Sequence, residues 1–304
     1  MAFPSAGGYT NLPNGNFSPV IYSQKVQKFF RTASVVEAIT NTDYAGEIEN
    51  YGDTVNIIKE PVVSVTAYTR GTTVSPSALA DDQLQLLVDQ ANYFAFKVDD
   101  IEEKHSHINF ESVATSSGAY ALKNAYDSNV IAAMFAGPSA SAPDHIIGTD
   151  TVAGGVDVGY DTSEVDPVNL ISKHSKLLNL QDVPEENRWF LGSPEFFEQL
   201  GQTSSKLMDD TTGAAKPLRN GKVYSGKVMN MDLYMTNNFA ASATANFYKV
   251  LSGHMSSTAT ANHIAKIEVV RDTSTFADVV RGLHVFGRKV LRNTALVAEH
   301  IQID

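Results

Sequence analysis

Two histidines, His105 and His107, stand just after Asp99, Asp100, Glu102 and Glu103. Imidazole beside carboxylate is a donor set that suits zinc and other divalent metals. The spacing works against it. On a helix, residues two apart diverge by about 200°, so the two rings do not face one ion, whereas helical metal pairs use i and i+4. An acidic helix start with exposed histidines explains the same residues, because the macrodipole favours negative charge there. A metal-dependent enzyme using His105 and His107 is thus the reading from another class, and bound metal lost on replacing both histidines is its signature. His174 falls on an apolar helical face and His284 inside an alternating segment. A general base needs a nucleophile and an orienting carboxylate close in space. The expectation for both is a core histidine, hydrogen-bonded to backbone.

Other chemistry lacks a motif. No G-x-S-x-G elbow, P-loop or G-x-G-x-x-G occurs, which leaves acyl transfer, nucleotide hydrolysis and dinucleotide binding unsupported. Cysteine is absent, which removes disulfides, thiolate metal sites and cysteine nucleophiles. Gly154-Gly155 reads as a flexible crossover, and Asn16-Phe17-Ser18 as a glycosylation match without an export signal to give it use. Asp plus Glu number 34 against 23 Lys plus Arg, a net charge of -11 that opposes any extended basic groove for nucleic acid. The 12 Tyr and 15 Phe lack basic neighbours and read as core residues rather than base-stacking platforms. With 43% hydrophobic and 19% charged residues among 304, the chain has the composition of a folded protein, and no run of about 20 apolar residues spans a bilayer.

The elements follow from periodicity. Met1 to Pro19 is rich in Gly, Asn, Pro and Ser and reads as an arm. Helical segments are expected over Ile21 to Thr40, lined by Val26, Phe29, Phe30, Val35, Val36 and Ile39, with Lys25, Lys28 and Arg31 as a basic cluster on a solvated face. Thr54 to Ile58, the β-branched Val62 to Tyr68, the Leu84, Leu86 and Val88 alternation, and the Phe94, Phe96 and Val98 alternation read as strands. Pro61 and Pro76 put this section at an edge or on an open hairpin. Between Ile101 and Phe135 the period becomes helical, with Ala119, Leu122, Tyr126, Val130 and Ala133 on one face and Gly137-Pro138 as the stop. Asp166 and Pro167 start a second helix burying Leu170, Ile171, His174, Leu177 and Leu178; Ser193 and Pro194 start a third carrying Phe196, Phe197 and Leu200. Strands are expected at Trp189 to Leu191, Met229 to Met235, Ile264 to Val270, Val279 to Leu291 and Ala295 to Ile301. Turns or loops fall at Asp209 to Gly213 and Asn220-Gly221.

Taken in order, GDTVNI from Gly52, DDQLQLLVDQANYFAFKVDDIEEK ending at Lys104, VPEENRWFLGSPEFFEQL from Val183 and FADVVRGLHVFGRKVLRNTALV from Phe276 resemble tailed-phage major capsid proteins of the Hong Kong 97 fold. The likeness is to the type that assembles on a separate scaffold. It implies an α+β fold with an N-terminal arm at 1–35, an extended β-hairpin (the E-loop) at 54–100, and an axial domain at 141–261. A peripheral domain would take 36–53, 101–140 with the spine helix, and 262–304 with terminal strands that complete its sheet. It implies a structural protein, not an enzyme, with no cofactor and no membrane. Hexamers and pentamers would form an icosahedral shell around double-stranded DNA contacted non-specifically, assembled in the host cytoplasm and located in the virion. A separate scaffolding protein, a portal protein and decoration proteins are the implied partners. A protruding hairpin cannot bury an apolar face alone. Leu84, Leu86 and Val88, with Arg70, Asp81 and Asp82 beside them, are therefore expected to contact neighbouring subunits, as are Lys25, Lys28 and Arg31. The alternative within the same fold is an encapsulin-like nanocompartment holding protein cargo.

Overall fold

A computed structural model describes residues 34–44, 53–58, 63, 65–71, 73, 83–99, 110–140, 145–149, 154–161, 163–202, 227–242, 244–274 and 277–303. Three sheets and a long helix organise them. A short helix α1 (Val36–Ile39) leads to an antiparallel hairpin of β1 (Thr54–Ile58) and β2 (Gln83–Leu87), in which Val55 faces Leu86 and Ile57 faces Leu84. Strand β3 (Gln90–Asp99) then leaves the hairpin, and the long helix α2 (Phe110–Phe135) follows. The reading of Val62 to Tyr68 as a strand fails: residues 65–69 carry no ladder. β-branching favours extended backbone, but a strand also needs a partner.

The second sheet is antiparallel, with β3 and β9 (Thr258–Arg271) flanking β10 (Ala277–Val290). Its register pairs Gly282 with Phe94 and Val280 with Phe96 on one side, and Val280 with Val269 on the other. The turn between β9 and β10 is locked by Asp272, whose Oδ1 accepts from the Ser274 backbone at 2.9 Å. One face of this sheet carries α2. There Tyr126 meets Phe286 edge-on at 5.1 Å between ring centroids.

The third sheet is mixed. Its order is β4 (Ile146–Ile147), β11 (Leu296–Gln302), β8 (Phe247–His254), β6 (Arg188–Gly192) and β7 (Met231–Met235), with β5 (Val156–Asp157) also pairing with β11. Helices α3 (Pro167–Leu180) and α4 (Pro194–Leu200) pack against it, and both begin as the sequence predicts. Asp166 accepts from the Val168 backbone at 2.8 Å ahead of Pro167, and Ser193 accepts from Phe196 ahead of Pro194. Leu170, Ile171, Leu177, Leu178, Phe196 and Leu200 fill the core beneath them.

Three expectations are corrected by this topology. The terminal strands do not all join one sheet. β9 and β10 pair in the second sheet, while β11 crosses into the third and pairs antiparallel with β8 from Leu296↔Gly253 to Gln302↔Phe247. The segment around Gly154-Gly155 is no loose crossover, because β4 and β5 each pair in parallel with β11. Gly148 there adopts φ +74, and a Cβ would lie 2.9 Å from the His300 carbonyl oxygen. On α2 the buried stripe runs through Tyr126, Asp127, Val130, Ile131 and Met134, while Ala119 is exposed and Ala133 half-buried.

The hairpin is rooted by close contact. β10 passes beneath the end of β2 at Gly287, where a Cβ would come within 2.5 Å of the Leu87 carbonyl oxygen. Backbone cannot yield there as a side chain would. Gly287→Ala is expected to destabilise the subunit by about 1–3 kcal/mol, as overpacking does, and to raise amide exchange in residues 83–88; unchanged exchange there would show the contact is slack.

Candidate assembly surface

The residues singled out for subunit contact separate into three groups. Lys25, Lys28, Arg31, Asp81 and Asp82 lie outside the described residues, as do His105 and His107. Leu86 and Val88 are fully buried within their own chain, packed on Ala259, Ala261 and Val285, with Val55 and Ile57 alongside. Leu84 is half-buried opposite Ile57. The apolar face expected to await a neighbour is thus already covered from Leu86 to Val88, because β2 lies against β9 and β10. Periodicity identifies an apolar face but carries no information on which sheet covers it.

The uncovered surface lies beyond that root. Ile58 is 79% exposed, Val65 97% and Tyr68 68%, and Val63 is exposed as well. Arg70 sits among them in an exposed turn with Gly71. This is a run of large apolar side chains in water from the end of β1 into residues 65–69, which carry no ladder, and a folded chain keeps such a run when another surface is to cover it. A second exposed group, Tyr93, Leu283, Val269 and Val270, lies on the sheet of β3, β10 and β9. Among its charges, Lys97 reaches Asp272 and Arg281 reaches Glu268. Exposed pairs of this kind orient more than they stabilise.

The chemistry-bearing residues inside the third sheet form a relay that sequence alone did not assemble. His174 on α3 places Nδ1 2.8 Å from Ser252 Oγ on β8 and Nε2 2.7 Å from Glu299 Oε2 on β11. Lys173 Nζ lies 3.2 Å from the other carboxylate oxygen. An ionised carboxylate only accepts, so Nε2 donates its proton to Glu299, while Nδ1 meets the Ser252 hydroxyl. Burial alone pushes Glu299 up. The His174 hydrogen bond and charge, with the Lys173 ammonium, outweigh it and hold the carboxyl below its usual range. The arrangement has the order of a hydrolytic serine, histidine and acid, yet all three are wholly buried. Ser252 sits mid-strand, paired with Phe190 on β6 and Val297 on β11, where no carbonyl can be presented to its hydroxyl. His174 is a core histidine as expected, though its partners are side chains rather than backbone. His145 is bonded to backbone, at 2.8 Å from the Leu296 carbonyl.

Two further buried ionisable residues carry no sequence signal. Arg188 opens β6 with a buried guanidinium whose Nε donates to the Pro184 carbonyl at 2.7 Å and whose terminal nitrogen donates to Val183, holding the loop before the strand. Desolvation pulls it below its ordinary value, with Glu185 opposing. Asp127 on α2 accepts from Ser34 Oγ at 2.9 Å. Among the described residues no cluster of three or more metal-binding side chains occurs, and no helix is long and apolar enough to cross a membrane.

No protein-family model matches the chain, and no curated protein matches it. Solved structures do. A chain of Mycobacterium phage Che8 is 27% identical with a TM-score of 0.73, over 93% of this chain and 97% of that one. The capsid of the cyanophage P-SCSP1u gives 16% identity and a TM-score of 0.68 over 100% of this chain and 99% of that one. The mature capsid of bacteriophage PhiM1 gives 13% and 0.65 over 94% and 91%. The chain has the fold of tailed-phage major capsid proteins. This capsid fold runs through nearly the whole chain, so the three sheets, α2 and the hairpin belong to one shared architecture rather than to an inserted module.

The relay is expected to be structural in this capsid fold. His174→Ala leaves Glu299 buried and unpaired and should cost about 3–5 kcal/mol in urea unfolding. Glu299 has a depressed value in the fold, so its contribution is full above the ordinary carboxylate range and is lost as pH falls through the lowered value. Acid unfolding of the wild type should steepen below about pH 4.5, and a loss centred near neutral pH would refute this assignment.

Proposed function

We propose that this chain is the repeated subunit of a tailed-phage head, self-assembling into the icosahedral shell that encloses double-stranded DNA, and that it works as a structural protein rather than an enzyme. The likeness to the Che8 chain, at 27% identity across nearly the full length of both, carries the reading. The exposed apolar run through Ile58, Val63, Val65 and Tyr68 supports it from physics, since association is what gives such a segment its cover. Virion localisation follows from the same likeness.

The E-loop in this reading is β1, β2 and the chain between them. β3 lies within the span 54–100 but is a strand of the peripheral sheet, with β9, β10 and the spine helix α2. The axial domain is the third sheet with α3 and α4. Arg70, with Asp81 and Asp82, orients the loop on its neighbour by charge, and Lys25, Lys28 and Arg31 meet acidic surface on adjacent copies or on a separate scaffolding protein. Hexamers and pentamers of the chain close the shell, with portal and decoration proteins as further partners. The net charge of -11 lets packaged DNA move against the wall without adhering. Repetition makes modest energy per contact sufficient.

Co-expression with the scaffold and electron microscopy test the function. Closed shells containing DNA are expected in infected cells, and shells holding only protein cargo would move the reading to a nanocompartment. Val65→Asp with Tyr68→Asp should abolish shells while the subunit keeps its circular dichroism, because both side chains are already in water in the isolated chain; normal shells would remove the loop from the interface. Reversing Lys25, Lys28 and Arg31 to Glu should reduce shell yield at low salt more than at high salt, and salt-independent wild-type yields would dismiss the charge argument.

A further inference from the structure

We propose that Asp127 is a proton-operated latch that fastens the segment carrying α1 onto the long helix α2. The geometry is specific. Asp127 is 1% exposed, its Oδ1 accepts from Ser34 Oγ at 2.9 Å, and the Val35 backbone N–H donates to the same carboxyl. The bond joins residues 93 apart, two positions before α1 begins. Immediately beyond it Val35, Val36 and Ile39 are wholly buried against Tyr126, Val130, Ile131 and Met134. Docking of α1 therefore forces this carboxyl out of water.

The charges around it come from each packed element. Lys123 on α2 favours the ionised form and Glu37 on α1 opposes it; these two also pair with each other at 3.3 Å on the exposed side. Tyr126, the preceding residue, has its hydroxyl pushed up mainly by burial, with a smaller push from Asp127. β10 contributes His284, whose ring lies 5.6 Å from that of Tyr126. On the other flank, Ser128 Oγ donates to the Asn238 carbonyl at 3.1 Å and holds α2 to the loop after β7.

Burial is the largest influence and pushes Asp127 up to about 6, against the bonds from Ser34 and Val35. The sign follows. In the docked arrangement the neutral acid is preferred below about 6, while a hydrated carboxyl ionises near 3.8. Between those values docking takes up a proton. Mild acid tightens the joint, and neutral pH leaves an ionised carboxylate buried and favours opening, by up to about 100-fold for a shift near two units. The latch rests on this intrachain geometry and stands whether or not the chain builds a shell.

Amide hydrogen exchange of residues 35–40 in the whole chain, corrected for the pH dependence of exchange itself, tests it. From about pH 5 to about pH 7.5, protection is expected to fall about 10-fold in the wild type and to stay constant in Asp127→Asn, which keeps the acceptor and cannot ionise. Ser34→Ala removes a donor to the ionised form and should move the midpoint up, whereas Glu37→Gln should move it down. A flat wild-type profile, or the same fall in Asp127→Asn, overturns the latch. Should Asp127→Asn fail to fold, an unmoved midpoint in both Ser34→Ala and Glu37→Gln overturns it equally.

Discussion

The fold depends on one shared core, in which the long helix, the antiparallel sheet and the mixed sheet bury the same side chains. Tyr126, Val130, Ile131 and Met134 from α2, Phe286 from β10, Trp189 and Leu191 from β6, Leu251 from β8, and Leu296 and Ala298 from β11 form a single cluster with Val35, Val36 and Ile39. Each large side chain so buried contributes about 1.5–3 kcal/mol. The cluster is continuous across elements drawn from the beginning, middle and end of the chain. β11 makes this possible. By leaving the antiparallel sheet and pairing with β8, it ties Leu296–Gln302 into the mixed sheet while β10, which ends six residues earlier, stays in the other. The two sheets are thereby joined by covalent chain as well as by packing.

That core explains why the hairpin divides as it does. At its root, Leu86 and Val88 are buried in the subunit's own satellite cluster, and Val88 N–H donates to the Asp53 carbonyl at 3.1 Å. Past the root nothing in the same chain covers Ile58, Val65 or Tyr68 among the described residues. A rigid base with an apolar, uncovered extension suits a part completed by association: the base sets direction and the extension supplies area. Two-stranded ribbons alone are marginal in water, so the root is what allows the extension to be presented at all.

Polar groups taken into the interior follow a consistent logic. Ser252, His174 and Glu299 satisfy one another across α3, β8 and β11, and Arg188 donates to two backbone carbonyls. Buried ionisable groups are tolerated when such partners are complete and are costly when one is removed. The relay bridges elements distant in sequence, which makes it a specifier of arrangement, whereas Arg188 holds the loop just before its own strand. Their burial also separates them from catalysis, since the relay with the look of a hydrolytic site has no path for a substrate.

Much of the local structure was legible in the residues themselves. Asp166-Pro167 and Ser193-Pro194 announced α3 and α4 because capping and proline preference are local effects, and the long alternating stretches after Ile264 announced β9, β10 and β11 because strand period is local too. The ordered strings from Gly52, Val183 and Phe276 carried the capsid resemblance. What the tertiary structure alone decided is which surfaces meet. Alternation marked Leu84, Leu86 and Val88 as one face but assigned them to a neighbour, whereas β9 and β10 cover Leu86 and Val88. Helical period placed His174 in the core but could not supply Ser252 and Glu299, 78 and 125 residues away. Nothing near Asp127 signalled a partner at Ser34. Pairing across such separations is set by chain topology and excluded volume, and neither quantity is written in a local pattern of residue types.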